Sequence, residues 1–166
     1  MTPAARDATL GDAQFRMLCD LVRSHCGLHF DESSRYLVQK RVERRIEAVG
    51  AASLASYLYE LRSQRPGADE LGALIDELTT NETYFFRELS PLRALVNEII
   101  PECRARHDRP VSIWSAGCSS GEEPYTILML AREAGLEPGK DVRVYASDIS
   151  RRVLGKARRG VYRDSS

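Results

Sequence analysis

No run of about eighteen apolar residues occurs in the chain, so no membrane-spanning helix and no membrane insertion is expected. The opening residues, MTPAARDATLGD, lack the apolar core of a secretion signal, which leaves a cytoplasmic location as the default. Net charge is absent as well. The 24 Lys and Arg balance the 24 Asp and Glu, so the bulk charge gives no reason to expect a nucleic-acid partner. Histidine is scarce, at three residues, and the four cysteines (Cys19, Cys26, Cys103 and Cys118) form no CxxC pair and no metal-binding spacing with a His. No metal site is expected, and the cysteines read as free thiols of a reducing compartment. The apolar fraction of 43% is ordinary for a soluble protein, and 166 residues suffice for one domain or two small ones.

What is present is concentrated in VSIWSAGCSSGEEPYTILMLA, Val111 to Ala131. Val111 to Trp114 is a short apolar run of the kind found in a buried parallel strand. It breaks into a turn bounded by Gly117 and Gly121, where the backbone can take left-handed dihedrals and approach a ligand closely. Glu122, Glu123 and Pro124 then suit the first turn of a helix, whose amides lack partners and whose dipole is positive. A second strand, Asp141 to Asp148, follows and ends in an acid; in folds of this kind such an acid accepts hydrogen bonds from ribose hydroxyls. Strand, glycine turn, helix and strand together predict the start of a Rossmann-like sheet. The loop lacks the third glycine of GxGxxG, and its two glutamates would repel a pyrophosphate by several kcal/mol if poorly solvated. A cofactor with a ribose but no phosphate fits better, and S-adenosylmethionine, with its sulfonium and ammonium, is one. Cys118, inside the turn, reads either as a small residue that fits or as a thiol with a chemical role.

The remainder of the chain is mostly helical in pattern. Met1 to Gly11 reads as a loose lead-in, and Asp12 as the cap of a helix to about Cys26, stopped by Gly27. A second helix spans about Ser34 to Val49, with Val38, Val42, Ile46 and Val49 in one stripe. Lys40, Arg41, Arg44 and Arg45 lie on one flank and Glu43 and Glu47 on the other, which reads either as a solvated charged face or as a surface for an acidic partner. Ser53 caps a third helix, Arg65-Pro66-Gly67 is a turn, and Asp69 to Leu78 is a fourth. Four short helices make a small helical module. The segment TTNETYFFRE, Thr79 to Glu88, has no clean period; its three aromatics either pack between domains or belong to a ligand site holding Asn81, Thr83 and Arg87. Ser90-Pro91 starts a helix that Pro101 should kink or end. A last helix, capped by Ser150, carries Arg151, Arg152, Lys156, Arg158 and Arg159, read as a solvated face.

These blocks resemble the chemotaxis receptor methyltransferases, the CheR family. The resemblance rests on Leu78 to Glu88 (LTTNETYFFRE), Ile113 to Tyr125 (IWSAGCSSGEEPY) and Ala146 to Ile149 (ASDI), in the family's order, and extends from about Gly11 to Tyr162. It implies a small all-α domain (1–78), a linker contributing to the cofactor site (79–90) and the first part of a Rossmann-like S-adenosylmethionine-dependent domain (91–166). It also implies methyl transfer to glutamates on the cytoplasmic helices of chemoreceptors, with S-adenosylhomocysteine as the product. By the same resemblance Asn81, Thr83, Arg87, Ala116, Gly117, Glu123 and Asp148 are cofactor-binding. Arg87 would hold the methionine carboxylate, Glu123 would face the ammonium and Asp148 the ribose, while Arg41, Arg44 and Arg45 would meet the receptor.

No residue is expected to act as a catalytic acid or base, because a substrate glutamate is already ionised near neutral pH. The family's later strands have no counterpart in the chain, and a two-stranded parallel sheet is too little to stand alone. The expectation is therefore a truncated catalytic domain, whose uncovered sheet edge offers a route to self-association. Two rivals remain: a non-enzymatic module binding a receptor or regulator, and an NAD-dependent dehydrogenase fragment, which the acidic loop disfavours.

Overall fold

A computed structural model describes residues 9–63, 69–107 and 109–163. The chain divides into two compact units, Met1–Thr80 and Asn81–Ser166. The expected turn at Arg65-Pro66-Gly67 lies outside the described residues, as does most of the lead-in.

The first unit holds helices α1 (Asp12–Cys26), α2 (Arg35–Val49), α3 (Leu54–Ser63) and α4 (Asp69–Leu78), with a 3₁₀ turn at Glu32–Ser34. Gly11, rather than Asp12, occupies the cap position of α1, and its amide donates to Gln14 Oε1 at 3.1 Å. Asp12 instead pairs with Arg35, at 3.0 Å. Leu10, expected in a loose lead-in, is buried at 2% exposure, and its carbonyl accepts from Arg35. Gly27 and Gly50 end α1 and α2 in the left-handed conformation that closes a helix without a Cβ penalty. Helices α3 and α4 have ten residues each, below the roughly 12–15 at which an isolated helix becomes even marginal in water. Packing must therefore hold them, and it does so through Leu54, Tyr57, Leu58, Leu61, Leu74 and Leu78, which join Phe15, Leu18, Val22, Val38, Val42 and Ile46 in one core. Val49, in the same stripe but at the C-terminal end of α2, is exposed.

The second unit opens with the segment Asn81–Glu88 and a long helix in three pieces: α5 (Leu89–Ala94), a π turn (Leu95–Ile99) and α6 (Ile100–Arg106). Pro101 does not end this helix. The wide turn immediately before it has Ile100 donating to the Leu95 carbonyl five residues back, which accommodates a residue that lacks an amide and crowds the carbonyl four residues upstream. Strands β1 (Val111–Ala116) and β2 (Val142–Ser147) run parallel in register Val111↔Val142 through Ala116↔Ser147, joined by α7 (Glu122–Glu133). Among the described residues they are the whole sheet. Val111, Ile113 and Val144 turn one face toward Val96, Ile100, Leu130 and Ala131. The other face leaves Trp114 71% exposed beside Tyr145. Helix α8 (Arg151–Arg159) follows β2, capped by the Ser150 hydroxyl.

Candidate functional site

The chain turns sharply at the C-terminal end of β1. Gly117 takes φ +76°, and its amide and that of Cys118 both donate to the Ser147 carbonyl at the tip of β2, at 2.8 and 2.9 Å. Ser119 is left-handed without being glycine, at φ +49°. Asp148 secures it: one carboxylate oxygen accepts the Ser119 amide and the other the Ser150 amide, both at 2.8 Å. The acid read from sequence as a ribose ligand thus also stitches the glycine turn to the strand beside it, and each oxygen keeps a further lone pair for a ligand. Gly121 stands at φ +101° beneath α8, where a Cβ would lie 2.7 Å from Tyr162 Oη and 2.9 Å from Ala157 Cβ. Only glycine satisfies both the dihedral and the space. Tyr162 donates to the Ser120 carbonyl at 2.7 Å and packs edge-on against Phe85. Burial, with the Glu122 carboxylate next in effect, pushes its phenol up to about 12.

The two glutamates opening α7 have different duties. Glu122 is 4% exposed and accepts from the Ser120 hydroxyl at 2.8 Å, at the positive end of the helix. Glu123 lies at the surface of a cavity and accepts from Ser115 Oγ at 2.6 Å. One turn on, fully buried Thr126 donates to the Glu122 carbonyl at 2.6 Å.

The same cavity is walled on its other side by the segment before α5. Ser119 Oγ donates to the Asn81 carbonyl, at 3.0 Å, and the Phe86 amide donates to Thr126 Oγ1, at 3.2 Å. Phe86 and Glu88 are both left-handed, at φ +60° and +50°, so Arg87 stands between two strained residues. Together with Ser119 they are the non-glycine residues with positive φ among the described residues, and each such placement costs about 1–3 kcal/mol. Two of the three, Ser119 and Glu88, line the cavity, and strain of this kind clusters at functional sites. Arg87 donates to the Glu82 carbonyl at 3.0 Å, and its guanidinium lies 5.7 Å from the Tyr84 ring centroid.

The cavity measures about 170 Å³ and is lined by Glu82, Thr83, Tyr84, Arg87, Glu88, Gly117, Cys118, Ser119, Glu123 and Thr126. Ligand sites run to about 300–1,000 Å³, so this space has room for no more than one end of a small molecule. One guanidinium facing three carboxylates suits a ligand end that carries both a carboxylate and a cation, and it disfavours a pyrophosphate. Burial first, then the Asp148, Glu123 and Glu122 carboxylates, push the Cys118 thiol up, which disfavours the thiolate.

Of the residues expected at a cofactor, Thr83, Arg87, Gly117 and Glu123 share the lining. Asn81 and Asp148 stand just behind it, tied to Ser119, and Ala116 ends the strand that leads into the turn. Ser119 and Thr126 were not anticipated. A serine among serines and a threonine inside an apolar helix carry no sequence signal of their own. The basic flank of α2 differs more from expectation. Arg45 grips Glu70 of α4 with two bonds, at 3.0 and 2.6 Å, and both side chains are largely buried. Arg44 reaches Glu77 at 3.3 Å, Lys40 pairs with Glu43 across the expected charge boundary, and Arg41 donates to the Thr79 carbonyl. Much of that basic face is therefore spent inside its own unit, with Arg44 the most exposed of the three arginines.

Comparison with known proteins accords with this layout. Residues 13–79 match a family described as "CheR methyltransferase, all-alpha domain", and residues 81–166 match "CheR methyltransferase, SAM binding domain". The chain is 40% identical over 158 residues to "Chemotaxis protein methyltransferase 2" of Vibrio cholerae, covering 94% of the chain and 54% of that protein. It is 41% identical to "Chemotaxis protein methyltransferase" of Salmonella typhimurium, covering 93% and 51%, and 39% identical to that of Escherichia coli K12, covering 93% and 52%. The chain thus spans about half the length of the curated relatives it matches.

Proposed function

Because the chain belongs to the CheR methyltransferase family, we propose that its cavity takes the amino-acid end of S-adenosylmethionine, and that the whole protein methylates glutamate side chains on the cytoplasmic helices of chemoreceptors. The observation that carries this reading is the juxtaposition of Arg87 with Glu123 in one small cavity at the end of β1, beside a glycine turn. S-adenosylmethionine supplies an electrophilic methyl group on a sulfonium.

This chain's residues bind and orient. Arg87 pairs with the carboxylate of the methionine end, where a planar guanidinium can make two parallel bonds. Glu123 faces the ammonium, Thr83 and Gly117 complete the walls near them, and Asn81 and Ala116 support those walls from behind. Asp148 offers its remaining lone pairs to ribose hydroxyls. No group acts as acid or base, since a glutamate with its ordinary pKa of about 4.3 arrives ionised at neutral pH. Rate enhancement comes from holding nucleophile and methyl in line and excluding water. Residues 1–78 act as a helical domain, 79–90 as a linker that enters the site, and 91–166 as the first part of the methyltransferase domain. Arg44, with Arg41, is the part of the α2 face left to meet an acidic receptor helix, while Arg45 serves the fold. A cytoplasmic location accords with such a substrate, and the sheet edges left unpaired among the described residues offer a route to self-association.

Calorimetric titration with S-adenosylhomocysteine tests the reading. Saturable binding that falls at least tenfold in Arg87→Ala and in Asp148→Ala is expected. A chain that ignores this ligand yet still captures a receptor fragment would instead be a non-enzymatic module, and one that binds NADH would be a dehydrogenase piece.

A further inference from the structure

The structure assigns Thr126 a positioning role: its hydroxyl holds Phe86 in the left-handed conformation and so aims Arg87 into the cavity. The inference deepens the cofactor reading above and rests on it for the identity of the ligand.

The argument is one of donors and acceptors. A threonine hydroxyl has a single proton to give. That proton goes to the Glu122 carbonyl, at 2.6 Å, one helical turn back along α7. The same oxygen lies 3.2 Å from the Phe86 amide, where it can only accept. Thr126 is fully buried, so water cannot stand in for either partner. The amide it fixes belongs to a residue at φ +60°, a backbone state that non-glycine residues seldom adopt. Arg87 comes next, and Glu88 is left-handed again. Held between these two, the Arg87 side chain leaves the backbone toward Tyr84 and the Glu82 carbonyl, at the cavity wall. Ser119 ties the far end of the segment through the Asn81 carbonyl. Thr126 is thus the hydroxyl on the Arg87 side, and its bond is what an otherwise strained turn leans on.

Valine has the shape of threonine without the oxygen, and serine keeps the oxygen without the methyl. In Thr126→Val, affinity for S-adenosylhomocysteine should fall about tenfold or more. Affinity for adenosine, which lacks the end that Arg87 reads, should stay within about twofold. Thr126→Ser should restore binding of the larger ligand to within about threefold. Amide hydrogen exchange, followed without ligand, gives the independent arm. Exchange at Phe86 should accelerate at least tenfold in Thr126→Val while α7 amides from Ile127 onward keep their protection. Equal loss of both ligands, or acceleration throughout α7, would mean a damaged core and overturn the assignment; so would an unchanged Phe86 amide. If the unaltered chain binds neither ligand, the cofactor reading falls, and the exchange arm still decides whether Thr126 holds the segment.

Discussion

Tyr162 shows how much one side chain near the end of the described chain contributes to the glycine turn. Its hydroxyl holds the Ser120 carbonyl, its ring meets Phe85 and Tyr125, and its Oη occupies the space a Cβ on Gly121 would need. The phenol is raised to about 12, so the fold favours the neutral form. Stabilisation from a raised group is complete below its ordinary value, about 10, and disappears as pH climbs through the folded value. The second unit should therefore lose stability between about pH 10 and 12. Urea midpoints measured across that window should fall more steeply for the unaltered chain than for Tyr162→Phe. That variant should start lower at neutral pH by about 1 kcal/mol, the size of one lost hydrogen bond. Matching slopes would sink the assignment. Little of this was legible beforehand. Gly117, Glu123 and Arg87 announce themselves by type and neighbourhood, and they do share a cavity. The bond from the Ser119 amide to Asp148, and those of the Ser119 and Thr126 hydroxyls, depend on partners 29 to 40 residues away, which local pattern cannot supply.

Among the elements, α2 carries the lesson about charge. A helical wheel sorts Lys40, Arg41, Arg44 and Arg45 correctly around one axis, yet it says nothing of what lies opposite them. What lies opposite is α4, with Glu70 and Glu77. Tyr57 adds a hydrogen bond to Glu70 at 2.8 Å, and burial, followed by that bond, pushes its phenol upward. Removing the guanidinium from this largely buried set should therefore be costly, while its exposed neighbour should matter little. Arg45→Ala should destabilise the helical unit by about 2–4 kcal/mol, and Arg44→Ala by less than about 1. Chemical denaturation followed by circular dichroism separates the two, and equal effects would contradict the assignment. The helix ends at Gly27 and Gly50 were readable because left-handed closure needs glycine. The passage of the chain through Pro101 was not, since a π turn is a response to the proline and leaves no residue signature of its own.

As a whole molecule, the chain pairs a helical unit with its own core and a second unit whose described sheet has only two strands. Sheets that small seldom persist without more strands or further cover. Expressed alone, residues 1–80 should melt in one cooperative transition with strong helical dichroism. Residues 81–166 alone should unfold at lower urea. The reverse order would show that the helical core is less self-sufficient than its packing implies. Family membership was legible because the glycine turn and the TTNETYFFRE segment are contiguous blocks, whereas the network behind them is assembled only by folding. The exposed sheet face has one more consequence. Trp114 is the chain's single tryptophan, and its indole donates to Ser147, whose carbonyl anchors Gly117 and Cys118. The protein thus carries a native fluorophore wired to the turn beside its cavity, and its emission colour should report, without any attached dye, whatever comes to shelter that ring from solvent.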